Sequence, residues 1–348
     1  MTVNLTSDTA TKPTPAMLKA MFSAEVGDDV FRQDPTVNQL EASTAELFGM
    51  EAALYCPSGT MTNQLAIKCH TQALDEVLCE EKSHVYQYEG GVYAMLSSVS
   101  MNLIKGERGK LLPGQIKAAV KPRYDWLPIS RLLVIENTCN KGGGSIYTID
   151  EAKVLVAEAR ASGLSCHLDG ARLFNALVET GESPKEWGGL FDTVSICLSK
   201  GLGAPVGSLL LGPKELIDRA RRFRKVIGGG MRQAGYLAAA GLYALEHHVE
   251  RLAEDNARAR RFAAALAPLP FVASVEQTQT NICIFHLAGD LMAADFLETL
   301  ANQGIQAVPF GPQMVRFTTH LGVTDEMVDY VIERLKLMVS GASPAPTA

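Results

Sequence analysis

Between residues 132 and 212 the chain alternates in a way that admits few folds. Leu132-Leu-Val-Ile-Glu136, Leu164-Ser-Cys-His-Leu-Asp169, Thr193-Val-Ser-Ile-Cys-Leu198 and Gly207-Ser-Leu-Leu-Leu-Gly212 are short, apolar and partly β-branched. Runs of that length bounded by glycine or polar residues predict buried strands. After the first, Asp150 to Ala161 sets Ala152, Leu155, Val156 and Ala159 on one face. That spacing predicts an amphipathic helix capped by Asp150 and ended before Gly163. Strands separated by helices predict an α/β fold whose mostly parallel sheet is covered on both faces. Ligands of such sheets bind beyond the carboxyl ends of the strands, so the polar residues that end each run are the ones to inspect.

The texture changes after Gly241. A long Ala/Arg/Glu-rich helix is expected from Leu245 to Leu266, stopped by Pro268 and Pro270. Runs at Phe271–Val275, Asn281–His286 and Met314–Thr318 alternate with helical stretches near 293–302 and 325–339. We therefore expect a large domain over 1–245 with an N-terminal segment, and a smaller C-terminal α+β domain over 246–340. The Pro- and Ser-containing residues 341–348 are expected to be a flexible tail. A chain of 348 residues accommodates two such units.

Composition narrows the partners. Hydrophobic residues make up 47% of the chain, enough for a sizeable core, and the net charge of −6 argues against a nucleic-acid footprint. One basic run, Arg219 to Lys225, stands against that balance. No signal peptide or membrane-length apolar stretch is seen. The seven cysteines are scattered, odd in number and never spaced C-x-x-C. No disulfide framework or metal site is expected, and a cytoplasmic location is.

Four post-strand positions form a set. Cys56-Pro-Ser-Gly-Thr60 precedes a helical stretch, Met61–Lys68, so Ser58, Gly59 and Thr60 offer free N–H groups at a helix start. Such a start suits a phosphate, although the same residues fit a plain helix cap. Asp169, followed by Gly170-Ala-Arg172, could pair with a protonated pyridine nitrogen, as pyridoxal 5'-phosphate requires, or cap the next helix. Lys200, between Ser199 and Gly201, leaves the sheet at its ligand edge and fits a Schiff-base lysine as well as an ordinary loop lysine. Arg316 lies inside an apolar strand and needs an anion, either an amino-acid carboxylate or an internal ion-pair partner. His84, after the expected strand and turn Leu78–Ser83, could stack on a cofactor ring, move a proton, or be structural.

These residues sit in segments that resemble the low-specificity L-threonine aldolases. The likeness is carried by Asn4-Leu-Thr-Ser-Asp-Thr9, Gly27-Asp-Asp-Val30, Asp34-Pro-Thr-Val37, Ser58-Gly-Thr60 and Glu89-Gly-Gly91. It continues through Glu136-Asn-Thr138, His167-Leu-Asp-Gly-Ala-Arg172, Leu198-Ser-Lys-Gly-Leu-Gly203 and Gly228-Gly-Gly-Met-Arg-Gln233, and more loosely to Arg316 and His320. The resemblance implies the aspartate-aminotransferase-like fold of pyridoxal-phosphate enzymes and a homotetramer of tight dimers. It implies that Lys200 carries the cofactor, Asp169 pairs with its ring nitrogen, Gly59 and Thr60 hold its phosphate, and His84 stacks on the ring. Ser7, Arg172 and Arg316 would receive the substrate carboxylate, and Arg232 would touch the neighbouring subunit's phosphate. The implied reaction is cleavage of β-hydroxy-α-amino acids to glycine and an aldehyde.

One segment departs from the pattern. Where members carry a histidine ahead of the Glu136 strand, this chain reads Arg123-Tyr-Asp-Trp-Leu127, with Trp126 as a candidate for the vacated space. Three other readings use the same residues. They are a β-eliminating lyase or aminotransferase of this fold, a cofactor-binding protein without turnover, and an α/β protein without the cofactor.

Overall fold

The computed structural model describes residues 1–340, so the expected tail over 341–348 lies outside the described residues. Among the described residues thirteen strands are present, beginning with β1 (Val3–Asn4), β2 (Ala52–Cys56), β3 (Asp75–Glu80), β4 (Ser100–Ile104) and β5 (Ile129–Glu136). They continue with β6 (Ser165–Gly170), β7 (Thr193–Cys197), β8 (Ser208–Gly212), β9 (Val272–Val275) and β10 (Ile282–Leu287). The last are β11 (Ile305–Gln306), β12 (Val308–Gly311) and β13 (Met314–Thr318).

Seven strands form one sheet in the order β2-β8-β7-β6-β5-β3-β4. Pairing is parallel from β7 through β6, β5 and β3 to β4, and antiparallel on both sides of β8. Only β8 is reversed, so the carboxyl ends of β2, β3, β5, β6 and β7 share one edge. Their side chains, among them Leu54, Val77, Leu133, Leu168 and Ile196, are buried. Burial on both faces accounts for the continuous apolar runs read from the sequence.

The expected helix after β5 is present as Ile149–Ala161, but its cap is Thr148, whose side chain and that of Glu151 form a reciprocal capping box. A threonine three residues before a glutamate is the stronger start signal, and Asp150 falls inside the first turn. The expected helix 245–266 is instead two, Gly235–His247 and Leu252–Leu266. The turn between them places buried His248 against the Leu202 carbonyl, with Nδ1 at 2.7 Å. That tertiary contact overrides a run of good helix formers.

The smaller unit is a four-stranded antiparallel sheet, β12-β13-β10-β9, backed by the helices Leu252–Leu266, Ala293–Ala301 and Asp325–Ser340. Phe262, Phe285, Phe296 and Phe317 are fully buried there, with Phe285 edge-on to Phe317 at 5.1 Å and to Phe296 at 5.7 Å. Such edge-to-face pairs add to the apolar burial and fix the sheet's position. The chain's beginning belongs to this core as well. β1 pairs in parallel with β11, and Val3 and Leu5 are buried among the small unit's residues. The N-terminal segment, expected with the large domain, thus also packs on the smaller unit; two residues of strand give no period from which a partner can be read.

Candidate active site

The shared carboxyl edge gathers the polar residues that end the strands. Glu136 of β5 and Asp169 of β6 are register partners, so two carboxylates stand side by side. Asp169 is buried, its Oδ2 accepting from Asn63 Nδ2 at 2.9 Å and its Oδ1 from the Ala171 N–H at 3.2 Å. The same Asn63 amide donates to Glu89 Oε1 at 2.9 Å, and Gln64 Nε2 to Glu89 Oε2 at 2.6 Å. His84 begins the short helix after β3. Its Nδ1 lies 2.9 Å from Glu89 Oε1, and its backbone N–H donates to Glu136 Oε2 at 2.7 Å. The other oxygen of Glu136 accepts from the Asn140 N–H at 2.9 Å.

Asn63 also orders the imidazoles behind it. Both hydrogens of its amide go to carboxylates, so Oδ1 accepts from His167 Nε2 at 3.1 Å. His167 Nδ1 then takes the Thr193 hydroxyl at 2.9 Å, and His70 Nε2 completes the chain at 3.0 Å from that hydroxyl. Burial pushes His167 down to about 3 and His70 down to about 4, so both are neutral, as this pattern needs. Negative charge collects in front. Burial, then the neighbouring Asp169, pushes Glu136 up to about 7. Burial opposes protonation of His84, but the Glu89 hydrogen bond and the Asp169 and Glu89 carboxylates outweigh it and raise its pKa.

Beside this acid cluster lies a cavity of about 400 Å³ whose lining includes Lys200, His84, Arg172 and Arg316 and no carboxylate. Arg172 is matched elsewhere. Its Nε and Nη2 grip Asp8 at 2.6 and 2.7 Å, and Asn281 donates to the same carboxylate at 3.1 Å. Burial alone would raise Asp8, but the guanidinium holds it well below the usual carboxylate range. Arg316 has only neutral partners, Asn140 Oδ1 at 3.0 Å and the Thr6 carbonyl at 2.8 Å, and its buried Nε has none among the described residues. Burial and then the Arg172 guanidinium push it down to about 10. It is a cation with no anionic partner among the described residues.

Three buried carboxylates around one imidazole call for a cation among them, and a protonated ring nitrogen meets that demand. The helix Gly59–His70 starts at the carboxyl end of β2, with Ser58 as its cap. Gly59 lies so close to β7 that a Cβ there would come within 2.6 Å of Cys197 Sγ, which draws the helix start toward the strand that leads to Lys200. Gly229 packs the same way on Met61, where a Cβ would lie 2.3 Å from Sδ, so the loop Gly228–Gly230 covers the first turn. The arrangement suits a flat cationic ring with an anionic arm, attached through an amine.

The structure brings Ser7, His84, Arg172, Lys200 and Arg316 to one cavity, with Asp169 hydrogen-bonded through Asn63 to the His84 partner Glu89. Ser58, Gly59 and Thr60 share the edge without lining the cavity. Arg172 differs from expectation in that Asp8 occupies two of its nitrogens. Arg232 pairs with Asp28 at 2.7 Å beside the exposed Phe31 ring and does not line the cavity. Trp126 is 77% exposed and stacked on Tyr124, in the segment that enters β5 at the opposite edge of the sheet. Within one chain it does not fill the space beside Lys200, because β5 carries the backbone away from it. The sequence reading missed Asn63, Glu89, Glu136, Asp8 and Asn140 as site residues. Glu89 and Glu136 lay in quoted motifs, but their burial beside Asp169 follows only from strand register.

The family model for beta-eliminating lyases matches residues 4–289. A low specificity L-threonine aldolase from Escherichia coli K12 is 41% identical over 329 residues, covering 94% of this chain and 96% of the relative. Low-specificity L-threonine aldolase 1 of Arabidopsis thaliana is 36% identical over 337 residues, 95% of this chain and 94% of the relative. Among solved structures, the Leishmania major threonine aldolase superposes with a TM-score of 0.83 at 22% identity, covering 97% and 99% of the two chains, and so shares the fold. The chain belongs to the beta-eliminating lyase family and, within it, to the low-specificity L-threonine aldolases.

The Asp8–Arg172 pair gives a prediction about stability. Asp8→Asn leaves a buried guanidinium without its charge partner and is expected to cost about 3–5 kcal/mol in urea unfolding at pH 7. Because the folded pKa of Asp8 is depressed, its contribution is fully present above the ordinary value of 3.8 and is lost only as pH falls below it. The gap between wild type and variant should therefore be flat from pH 7 to about 4 and narrow below. A gap under 1 kcal/mol at pH 7 would refute this role.

Proposed function

We propose that the chain cleaves L-threonine, L-allo-threonine and related β-hydroxy-α-amino acids to glycine and an aldehyde, with pyridoxal 5'-phosphate bound at Lys200. One observation carries this reading. Lys200, His84 and the unmatched Arg316 line one cavity that has no carboxylate, while Glu89, Glu136 and Asp169 are buried around His84. When bound, pyridoxal phosphate supplies an electron sink for the pair released at Cα.

The chain's residues prepare and steer that cleavage. Lys200 supplies the attaching amine. Asp169, fixed by Asn63, keeps the ring nitrogen protonated. Ser58, Gly59 and Thr60 hold the phosphate. Arg316 takes the α-carboxylate with Ser7 beside it and fixes rotation about N–Cα, which selects the bond presented for cleavage. Arg172, already matched by Asp8, forms the wall behind that carboxylate and adds its remaining donors. The His84 Nδ1 bond to Glu89 leaves Nε2 as the basic atom, which takes the β-hydroxyl proton.

The expected products give the first test. With cofactor present, glycine and the matching aldehyde should form from L-threonine, L-allo-threonine and L-phenylserine, and Lys200→Ala should abolish the reaction. Ammonia with a keto acid, or transfer of the amino group, would instead place the chain among the eliminating lyases or aminotransferases. For His84, the raised pKa puts the acid limb of the kcat/KM profile above 6.5, with the rate falling below it as Nε2 is protonated. His84→Asn should lose that limb and about 10²–10⁴ in rate. A limb that persists in the variant belongs to another group.

The reading includes a cytoplasmic homotetramer of tight dimers. All seven cysteines are free and buried, in keeping with a reducing compartment. Among the described residues no helix is long and apolar enough to cross a membrane. Phe31, 66% exposed, lies under the Arg232 guanidinium, an apolar surface suited to a second copy whose cofactor phosphate Arg232 would touch. Sedimentation of the wild type should give a tetramer, and Arg232→Ala should weaken cofactor retention. A monomer that holds its cofactor would end this part of the reading.

A further inference from the structure

The charges lining the cavity exceed what a substrate with one carboxylate needs. Arg172 is matched by Asp8, Lys200 is assigned to the cofactor, and Arg316 is assigned to the α-carboxylate. Lys141 remains. It is half-buried on the cavity wall and makes no hydrogen bond or ion pair among the described residues. Its Nζ is held by two aromatic faces, 4.2 Å from the centroid of Phe310 and 5.7 Å from that of Tyr88. The Arg316 guanidinium lies over the same Phe310 ring at 4.9 Å. One ring from β12 thus contacts both cations, and both residues line the same cavity, so a single ligand there faces the two together. A ring so occupied is not free to stack on an aromatic substrate.

We propose that Lys141 is a receiver for a second anionic group, and that the site takes β-hydroxy-α-amino diacids of the 3-hydroxyaspartate class. The proposal rests on the reading of the site given above. A partly desolvated ammonium with no carboxylate partner is matched by an anionic ligand group, and a charge-assisted hydrogen bond to it is worth more than a neutral one. The reaction balances as for threonine. The Cα–Cβ bond breaks, the β-hydroxyl proton passes to His84 Nε2, and the β-carbon leaves as the aldehyde of glyoxylate. Cα then gains a proton to give glycine, so no oxidant or co-reactant is needed.

The test compares two ligands of nearly the same shape, of which only one carries a distal charge. Calorimetric titration of the holoenzyme with L-aspartate and L-asparagine should show aspartate binding at least tenfold tighter. In Lys141→Met that ratio should fall to about one, and in Lys141→Arg it should largely return. In parallel, the ratio of kcat/KM for 3-hydroxyaspartate to that for L-threonine should drop at least tenfold in Lys141→Met. Equal binding by the wild type, or a preference that survives Lys141→Met, overturns the proposal. Glycine release from L-threonine in the same preparation separates the two claims. Its absence, with the aspartate preference intact, would count against aldol cleavage and leave Lys141 as an anion receiver.

Discussion

Everything at this site is arranged around negative charge buried at the carboxyl edge of the sheet. Parallel pairing in register sets Glu136 beside Asp169, and the turn after β3 brings Glu89 and His84 against them. Each buried ion costs several kcal/mol unless matched. Asn63 meets part of that cost with one amide shared by two carboxylates, and the proton of His84 meets more. The remainder is what a cationic ring would match in the function proposed above. The opposite arrangement prevails a few residues away, where Arg316 waits without an anion and Lys141 rests on aromatic faces. Glu89, Glu136 and Asp169 on one side and Arg316 and Lys141 on the other divide the site by sign.

Much of this was legible in the sequence, because strand ends in an α/β sheet can be located from apolar runs. The run ending at Asp169 and the one preceding Lys200 are enough to set both residues at the carboxyl edge of the sheet. Arg316 was legible for another reason, as a charge stranded among apolar neighbours. What escaped were residues whose role depends on a partner far along the chain. Asp8 has no local mark of its role, which comes from Arg172 and Asn281 far along the chain. Asn63 lies mid-helix, where no local pattern marks it, and only the sheet beneath says that it faces Asp169.

The differences share that cause. The sequence around residues 245–266 is helix-forming throughout, yet the helix breaks so that His248 can reach the loop after Lys200. Trp126 sits in the segment where the family resemblance expected a histidine, but the sheet carries that segment to the other edge, where it stacks on Tyr124. Local propensity describes what a segment can do alone, and both positions are decided by what lies across from them.

The pairing of β1 with β11 has a consequence for how the site comes into being. Val3, Thr6 and Asp8 leave the ribosome early, whereas Ile305, Arg316 and Asn281, which respectively seat them, come near the end. At about 5–20 residues per second, tens of seconds separate the first strand from the partner that receives it. The acid that will neutralise Arg172 has no fixed place until then. The large sheet can therefore form during synthesis with its cavity open on one side, and it closes only when the newest part of the chain returns to the oldest.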